Sequence, residues 1–221
     1  MTFRFSTEGT GFRYLSNQAV RLALPGVNDP WGALRTFSLA SSPTEPGHVT
    51  ITCKISDTPY KQALARLAPG DEATLFGPIG RFLLDAERPS VFLAGGIGVT
   101  PFRGMIRYAH DRKLVAPRVL LYCARTPEEL LFRPEFDRIA AESPAVRVHY
   151  SVTRPAEANG SWSGRVGRID GDWIQRATHA LHEPRYYVAG LPEIVREMLH
   201  VLEERFHVPP ADVTFEIFKG F

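Results

Sequence analysis

The apolar run Val91-Phe92-Leu93-Ala94 passes without a break into Gly95-Gly96-Ile97-Gly98-Val99-Thr100-Pro101. Consecutive apolar residues on a strand mean burial on both faces, the condition of a parallel sheet covered by helices. Glycines 95, 96 and 98 let the backbone turn tightly, and Pro101 suits the first turn of a following helix. Such a turn commits the rest of the chain to strand–helix alternation. The sequence supplies it, with strands read at 91–94, 118–124, 146–152, 186–189 and 213–218 and helices at 101–113, 126–141, 172–182 and 192–206. The alternation predicts a parallel sheet flanked by helices. A Gly/Ser-rich stretch from Ala156 to Gly167 reads as a mobile loop, with Trp162 a packing anchor in it.

The preceding residues follow another pattern. Short runs rich in branched and aromatic residues recur at 2–5, 19–24, 36–40, 49–55 and 72–76, separated by Gly, Pro, Asn and Asp breaks. One helix is expected at 60–67, stopped by Pro69-Gly70. Many short strands with a single helix predict a small antiparallel barrel. The fold class is therefore β plus α/β: an N-terminal antiparallel β-barrel domain over 1–87, then a parallel-sheet nucleotide-binding domain over 88–221, divided at Glu87-Arg88-Pro89.

Composition removes several classes of function. With 44% apolar and 23% charged residues, the 221-residue chain has the make-up of a soluble globular protein. A net charge of +2 is too mild to argue for nucleic acid. No apolar run reaches the roughly 18 residues of a membrane span, and no basic start leads into an apolar stretch, so a cytoplasmic location is expected. Cys53 and Cys123 lack partners at metal-binding spacing, and a thiolate-held iron–sulfur cluster needs about four ligands. Both thiols read as buried and inert, and any further electron carrier is expected on another molecule. His179 and His182, three apart near a helix end, read as surface residues with no third metal ligand.

The glycine turn can do chemistry as well as fold. A helix N-terminus offers free N–H groups and a partial positive charge, which suits a phosphate. The spacing is not G-x-G-x-x-G, so that motif's reading does not transfer, and a tight βα turn without ligand is the competing reading. Roughly sixty residues earlier stands Arg35-Thr36-Phe37-Ser38. Alternation puts Arg35 and Phe37 on one strand face and Thr36 and Ser38 on the other. Arg35 suits a bidentate pyrophosphate contact, although in isolation an exposed arginine on an edge strand is the better reading. Two phosphate-suited segments, one per half, imply two nucleotides face to face. Electron transfer between a nicotinamide and a flavin needs that arrangement.

Five segments in order resemble those of the ferredoxin–NADP reductase family of flavoproteins, and the resemblance covers nearly the whole chain. They are Arg35-Thr36-Phe37-Ser38 (R-x-Y-S), Gly77-Pro78-Ile79-Gly80 (G-P-x-G), Gly95 to Pro101 (G-G-x-G-x-T-P), Tyr187 to Pro192 (Y-x-C/A-G-P) and the closing Glu216-Ile217-Phe218. The resemblance implies bound FAD in the barrel and NADPH or NADH in the cleft between the domains. It implies that Arg35 binds the flavin pyrophosphate, that Ser38 lies near flavin N5, and that Thr100 sits by the flavin ring. Gly190 leaves room for the nicotinamide, Glu216 places it and relays protons, and Phe218 stacks on the flavin. Thr36, Phe37, Lys54, Gly77, Gly80, Gly96, Gly98 and Pro101 complete the implied cofactor-binding set. Lys61 falls near where relatives place a hydroxyl against the flavin phosphates, and it reads either as a pyrophosphate ligand or as solvated. Phe221 is expected over the adenine half of FAD.

Departures from the family are visible. Phe37 replaces tyrosine and keeps the ring without its hydroxyl. Ala189 stands where some relatives carry cysteine. Thr2-Phe3-Arg4-Phe5 resembles the family's second barrel strand, which leaves two readings, a barrel open at that edge or a misassigned start. Thr153-Arg154 resembles the pair that holds a 2′-phosphate, with Arg125 a second candidate, and tilts the expectation to NADPH. The expected function is a reductase that passes hydride from NAD(P)H to bound FAD and single electrons to a separate ferredoxin or flavodoxin. Two alternatives stay open: a free-flavin reductase, marked by loss of flavin on gel filtration, and a non-catalytic electron-transfer subunit, marked by co-purifying partners.

Overall fold

The structure is a computed structural model that describes residues 1–218, so Phe221 lies outside the described residues. In the first half, β1 (Thr2–Ser6) pairs antiparallel with β4 (His48–Thr52). A second antiparallel sheet runs in the order β3 (Leu34–Ser38), β2 (Ala19–Ala23), β5 (Thr74–Ile79). The amide of Ala40 donates to the carbonyl of Thr50 at 2.8 Å and joins the two sheets. The wall thus curls from β1 through β4, β3 and β2 to β5. Among the described residues no ladder closes β5 onto β1; an open cavity of about 760 Å³, lined by residues 2–6 and 67–75, lies between them. The barrel expected from the strand count is therefore open along one side.

Alternation explains the interior of this half. Val20, Leu22, Arg35 and Phe37 face inward across the β2–β3 pairs, while Arg21 and Thr36 face out. Helix α1 (Pro59–Ala65) covers the interior. Its N-cap Thr58 accepts from the amide of Lys61, and Tyr60 and Leu64 are fully buried in the same core.

The second half is a six-stranded sheet in the order β11-β10-β6-β7-β8-β9, parallel throughout. Its strands are β6 (Ser90–Gly95), β7 (Arg118–Ala124), β8 (Val146–Val152), β9 (Arg165–Val166), β10 (Arg185–Gly190) and β11 (Val213–Ile217). Helices α2 (Thr100–Asp111) and α3 (Arg133–Glu142) cover one face, over Phe92, Leu120, Tyr122 and Tyr187. Helices α4 (Gly171–Thr178) and α5 (Pro192–Glu204) cover the other, over Val91, Leu93, Leu121 and Val188. Adjacent residues of β6 thus feed opposite cores, which is why its sequence is apolar without a break.

Three local outcomes differ from the pattern reading. The helix expected from Thr126 begins at Arg133; a 3-10 turn at Pro127–Glu129 and a left-handed Phe132 (φ 61°) come first. Pro134 fits only in the first turn of a helix, so no helix can run through it from 126. The loop around Trp162 contains β9, too short to show a period, and the indole packs against the first core and donates to the carbonyl of Arg165 at 2.9 Å. Finally, Phe82 packs on Phe102 and Tyr187, with ring centroids 6.0 and 5.8 Å apart. Residues ahead of the expected division therefore already touch the second core. The buried guanidinium of Arg118 adds to that anchorage by donating to the carbonyls of Asp85, Ala86 and Arg88.

Candidate functional site

From β6 the chain builds outward to β7 and β8, then returns to place β10 on the other side of β6. The sheet order reverses between β6 and β10, and ligands of open α/β sheets bind beyond the strand ends at that point. The turn after β6 and Gly190 at the end of β10 meet there. A Cβ on Gly98 would lie 2.1 Å from the carbonyl oxygen of Ala189 and 2.7 Å from Cα of Gly190. One on Gly95 would lie 2.6 Å from Cδ1 of Ile194. Gly96 instead has φ 53° and nothing within 4 Å of its Cβ position. Two of the three glycines thus serve contact between turn, β10 and α5, and Gly96 faces the open space a phosphate would enter. Thr100 is buried and donates to the carbonyl of Ile97 at 3.1 Å, which closes the turn, and Pro101 is buried in the first turn of α2.

Strand β11 completes the other wall. It pairs Glu216 with Ala189 and Ile217 with Gly190, and the amide of Phe218 donates to the carbonyl of Gly190 at 2.9 Å. Glu216 crosses to the first half of the molecule, where the hydroxyl of Ser38 donates to its Oε1 at 2.8 Å. Burial pushes the pKa of Glu216 up, and the bond from Ser38 opposes this without reversing it. Ser38, Gly190, Glu216 and Phe218 are thereby tied into one cluster. The result is a hydroxyl–carboxyl pair that holds a proton to higher pH than an ordinary glutamate does.

Arg35 is placed differently from the expectation. Its Nη2 donates to Oδ1 of Asp29 at 2.6 Å, and its Nη1 donates to the carbonyls of Trp31, Gly32 and Leu34 at 2.9, 2.7 and 3.0 Å. Asp29 also accepts from the amides of Trp31 and Tyr60 at 2.8 and 2.9 Å. The arginine therefore staples the 29–34 loop to strand and helix, and only its buried Nε lacks a partner on that side chain. In sequence, Asn28-Asp29-Pro30 reads as a turn, and nothing in it marks Asp29 as a partner of Arg35.

The cation next to it meets a ring. Lys61 is buried with its ammonium 4.6 Å from the centre of the Phe37 ring, and among the described residues no carboxylate pairs with it. Phe37 in turn stacks on Tyr60 at 6.3 Å. Thr36 is exposed, as is Lys54 just past β4; Gly77 and Gly80 are exposed at the end of β5, where Gly80 has φ 97°.

Beyond β7 and β8 stand Arg125, Thr153 and Arg154, linked by the amides of Thr153 and Arg154 donating to the carbonyls of Ala124 and Arg125 at 3.0 and 2.8 Å. Both guanidinium groups meet Glu157, which the pattern reading passed over because it sits in the loop. Among the described residues no group of three or more His, Cys, Asp or Glu side chains could hold a metal ion.

Comparison with known proteins bears on the family and the fold. Residues 92–200 match the oxidoreductase NAD-binding domain family. Ferredoxin–NADP reductase B of Sorangium cellulosum is 31% identical over 218 residues, covering 95% of this chain and 87% of its own length. The glycine betaine monooxygenase reductase subunit of Chromohalobacter salexigens is 28% identical over 86% of this chain, which spans 55% of that protein. The chain spans about half the length of several such relatives. In structure, a ferredoxin NADP+ reductase from Neisseria gonorrhoeae with bound FAD and NADP superposes with a TM-score of 0.76 at 23% identity, covering 100% of this chain and 92% of that one. The cytochrome b5 reductase domain of Ulva prolifera nitrate reductase gives a TM-score of 0.78 at 22% identity, covering 97% of this chain and 90% of that one.

Proposed function

Because the chain belongs to the ferredoxin–NADP reductase family of NAD(P)H-dependent FAD oxidoreductases, we propose that it takes reducing equivalents from a nicotinamide nucleotide onto FAD and hands them to a separate protein carrier, a ferredoxin or flavodoxin. The observation that carries this reading is the Ser38–Glu216 bond, which spans both halves at the switch point of the sheet. FAD, when bound, supplies the step from two-electron to one-electron chemistry. The chain's own residues position and protect. Gly96 admits a phosphate to the head of α2, and Gly190 with Phe218 bounds the space for a planar ring. Ser38 and Glu216 hold a proton beside it. Lys61, buried and with no carboxylate partner among the described residues, is the cation best placed for the flavin diphosphate, with Arg35 acting through the loop it holds. The barrel half, residues 1–87, would carry FAD, and residues 88–221 the nicotinamide nucleotide, in the cytoplasm.

An anaerobic titration of the purified protein with NADH and NADPH, followed at the flavin absorption band, tests this. Bleaching of a bound flavin supports both sites together. A bound flavin that stays oxidised with both nucleotides overturns the reading. The commitment of Arg35 to Asp29 favours one second reading, a reductase that uses FAD as a dissociating substrate. Loss of the flavin band on gel filtration, with NADH-driven reduction restored by added FAD, would select it.

A further inference from the structure

A dinucleotide with its nicotinamide beside Gly190 and Glu216 and its diphosphate over Gly96 must run its adenosine outward along the carboxyl edge of the sheet, past β7 and β8. The side chains waiting there are not the free arginines that Thr153-Arg154 and Arg125 suggest in sequence. Arg154 Nη1 lies 3.2 Å from Oε1 of Glu157, and Arg125 Nη2 lies 3.7 Å from its Oε2. Arg125 also faces Glu129 at 3.8 Å, and Glu128 accepts from the amide of Asn159 at 3.0 Å. Two arginines thus meet two glutamates, and one carboxylate, Glu157, bridges both cations.

We propose that Glu157 sets coenzyme choice in favour of NADH, by occupying between Arg125 and Arg154 the place a 2′-phosphate would take. The inference rests on the nucleotide site described above. A 2′-phosphate brings close to two negative charges at neutral pH. To reach the arginines it must displace Glu157 and then sit beside its charge. A 2′-hydroxyl meets no such obstacle, because it can donate to the carboxylate where it stands. These ion pairs are half-exposed and individually weak, so they do not lock the arginines. The selective element is the charge of Glu157, which repels phosphate and accepts a hydroxyl. The tilt towards NADPH read from Thr153-Arg154 is thereby reversed.

Calorimetric binding of 5′-ADP and 2′,5′-ADP, which carry no nicotinamide, tests this apart from any flavin chemistry. Wild-type protein should bind 5′-ADP more tightly. Glu157→Gln should tighten 2′,5′-ADP by at least about tenfold and leave 5′-ADP within about threefold. Adding Arg154→Ala to that variant should remove the gain. A wild-type preference for 2′,5′-ADP, or a Glu157→Gln variant with both affinities unchanged, overturns the role of Glu157 while leaving the nucleotide site intact. Failure of the wild type to bind either nucleotide removes the site itself and the proposal with it.

Discussion

Glu216 holds its carboxyl at the junction of the two halves, and its environment makes a stability claim as well as a chemical one. Its folded pKa lies above the ordinary glutamate value of 4.5 because burial disfavours the charged form. A raised acid contributes stability that is fully present below the unfolded pKa and is lost as pH rises through the folded one. At neutral pH and above, the ionised carboxylate is therefore a cost. Glu216→Gln keeps the acceptor for the Ser38 hydroxyl and removes the charge. The variant should melt a few degrees above wild type at pH 8, and the two should converge near pH 4. Equal melting points across that range would show that Glu216 is better solvated than its burial implies. The same substitution removes the titrating proton, so the pH dependence of flavin reduction by NADH should flatten. Ser38→Ala deletes the bond from Ser38 that lowers the carboxyl's pKa, so any surviving profile should move to higher pH.

At the scale of elements, the glycine turn after β6 separates two kinds of necessity that look alike in sequence. Gly98 is needed because its neighbour is backbone: a Cβ would be driven to within 2.1 Å of the Ala189 carbonyl. Gly96 is needed for its positive φ alone, in open space. Gly98→Ala must push the turn away from β10 and should cost about 3 kcal/mol or more in urea unfolding, the upper range of overpacking, and abolish 5′-ADP binding. Gly96→Ala should cost only about 1 kcal/mol and weaken binding without abolishing it. Similar losses for both would mean that the turn yields where it touches β10. The strand–helix alternation was legible because β6 and β7 are buried on both faces, and the Ser38, Gly190 and Glu216 positions because motif order carries them. What was not legible lay in loops, where no period tells which charge meets which. Asp29 claims Arg35 through a loop that reads only as a turn, Glu157 claims Arg154 from within a loop, and β9 is two residues long. Pattern periods report which face a residue takes; they do not report which charge it meets there.

For the whole molecule, what holds Ser38 against Glu216 is an ion cluster centred on α2. Arg103 donates from Nε and Nη2 to Glu135 of α3 at 2.8 and 2.9 Å. Toward the first half it donates from Nη1 to the carbonyl of Ala40 at 3.1 Å and from Nη2 to Glu45 at 3.0 Å, with a second contact from Nη1 to Glu45. Thr44 adds a bond to Asp111 at 2.5 Å, and Gly104 makes the approach possible, since a Cβ there would lie 2.8 Å from the carbonyl of Ser41. The segment so gripped follows Ser38 directly, and the helix that grips it starts at the glycine turn. The clamp therefore sets the distance between the two proposed nucleotide sites. Replacing Arg103 with Met leaves the partly buried Glu45 without its paired cation and Glu135 with Arg107, 3.6 Å away, and should cost about 3 kcal/mol, the lower end for a broken buried pair. Adding Glu45→Gln and Glu135→Gln should recover much of that loss, because the cost lies in the unpaired charges. Burial tends to raise the pKa of Glu45, but the bonds from Arg103 and the Ser42 amide, with the charges of Arg103 and Arg107, together outweigh this and hold it below 4.5. Its contribution is thus present above the ordinary carboxylate range and lost as pH falls through the lowered value. Wild-type stability should drop steeply below about pH 4.5, and the triple variant's much less. If the clamp orders the halves as well as stabilising them, Arg103→Met should slow flavin reduction by NADH while the affinity for 5′-ADP stays unchanged. Unaltered reduction in a destabilised variant would reduce the clamp to a staple and leave the register of the halves to the Ser38–Glu216 bond.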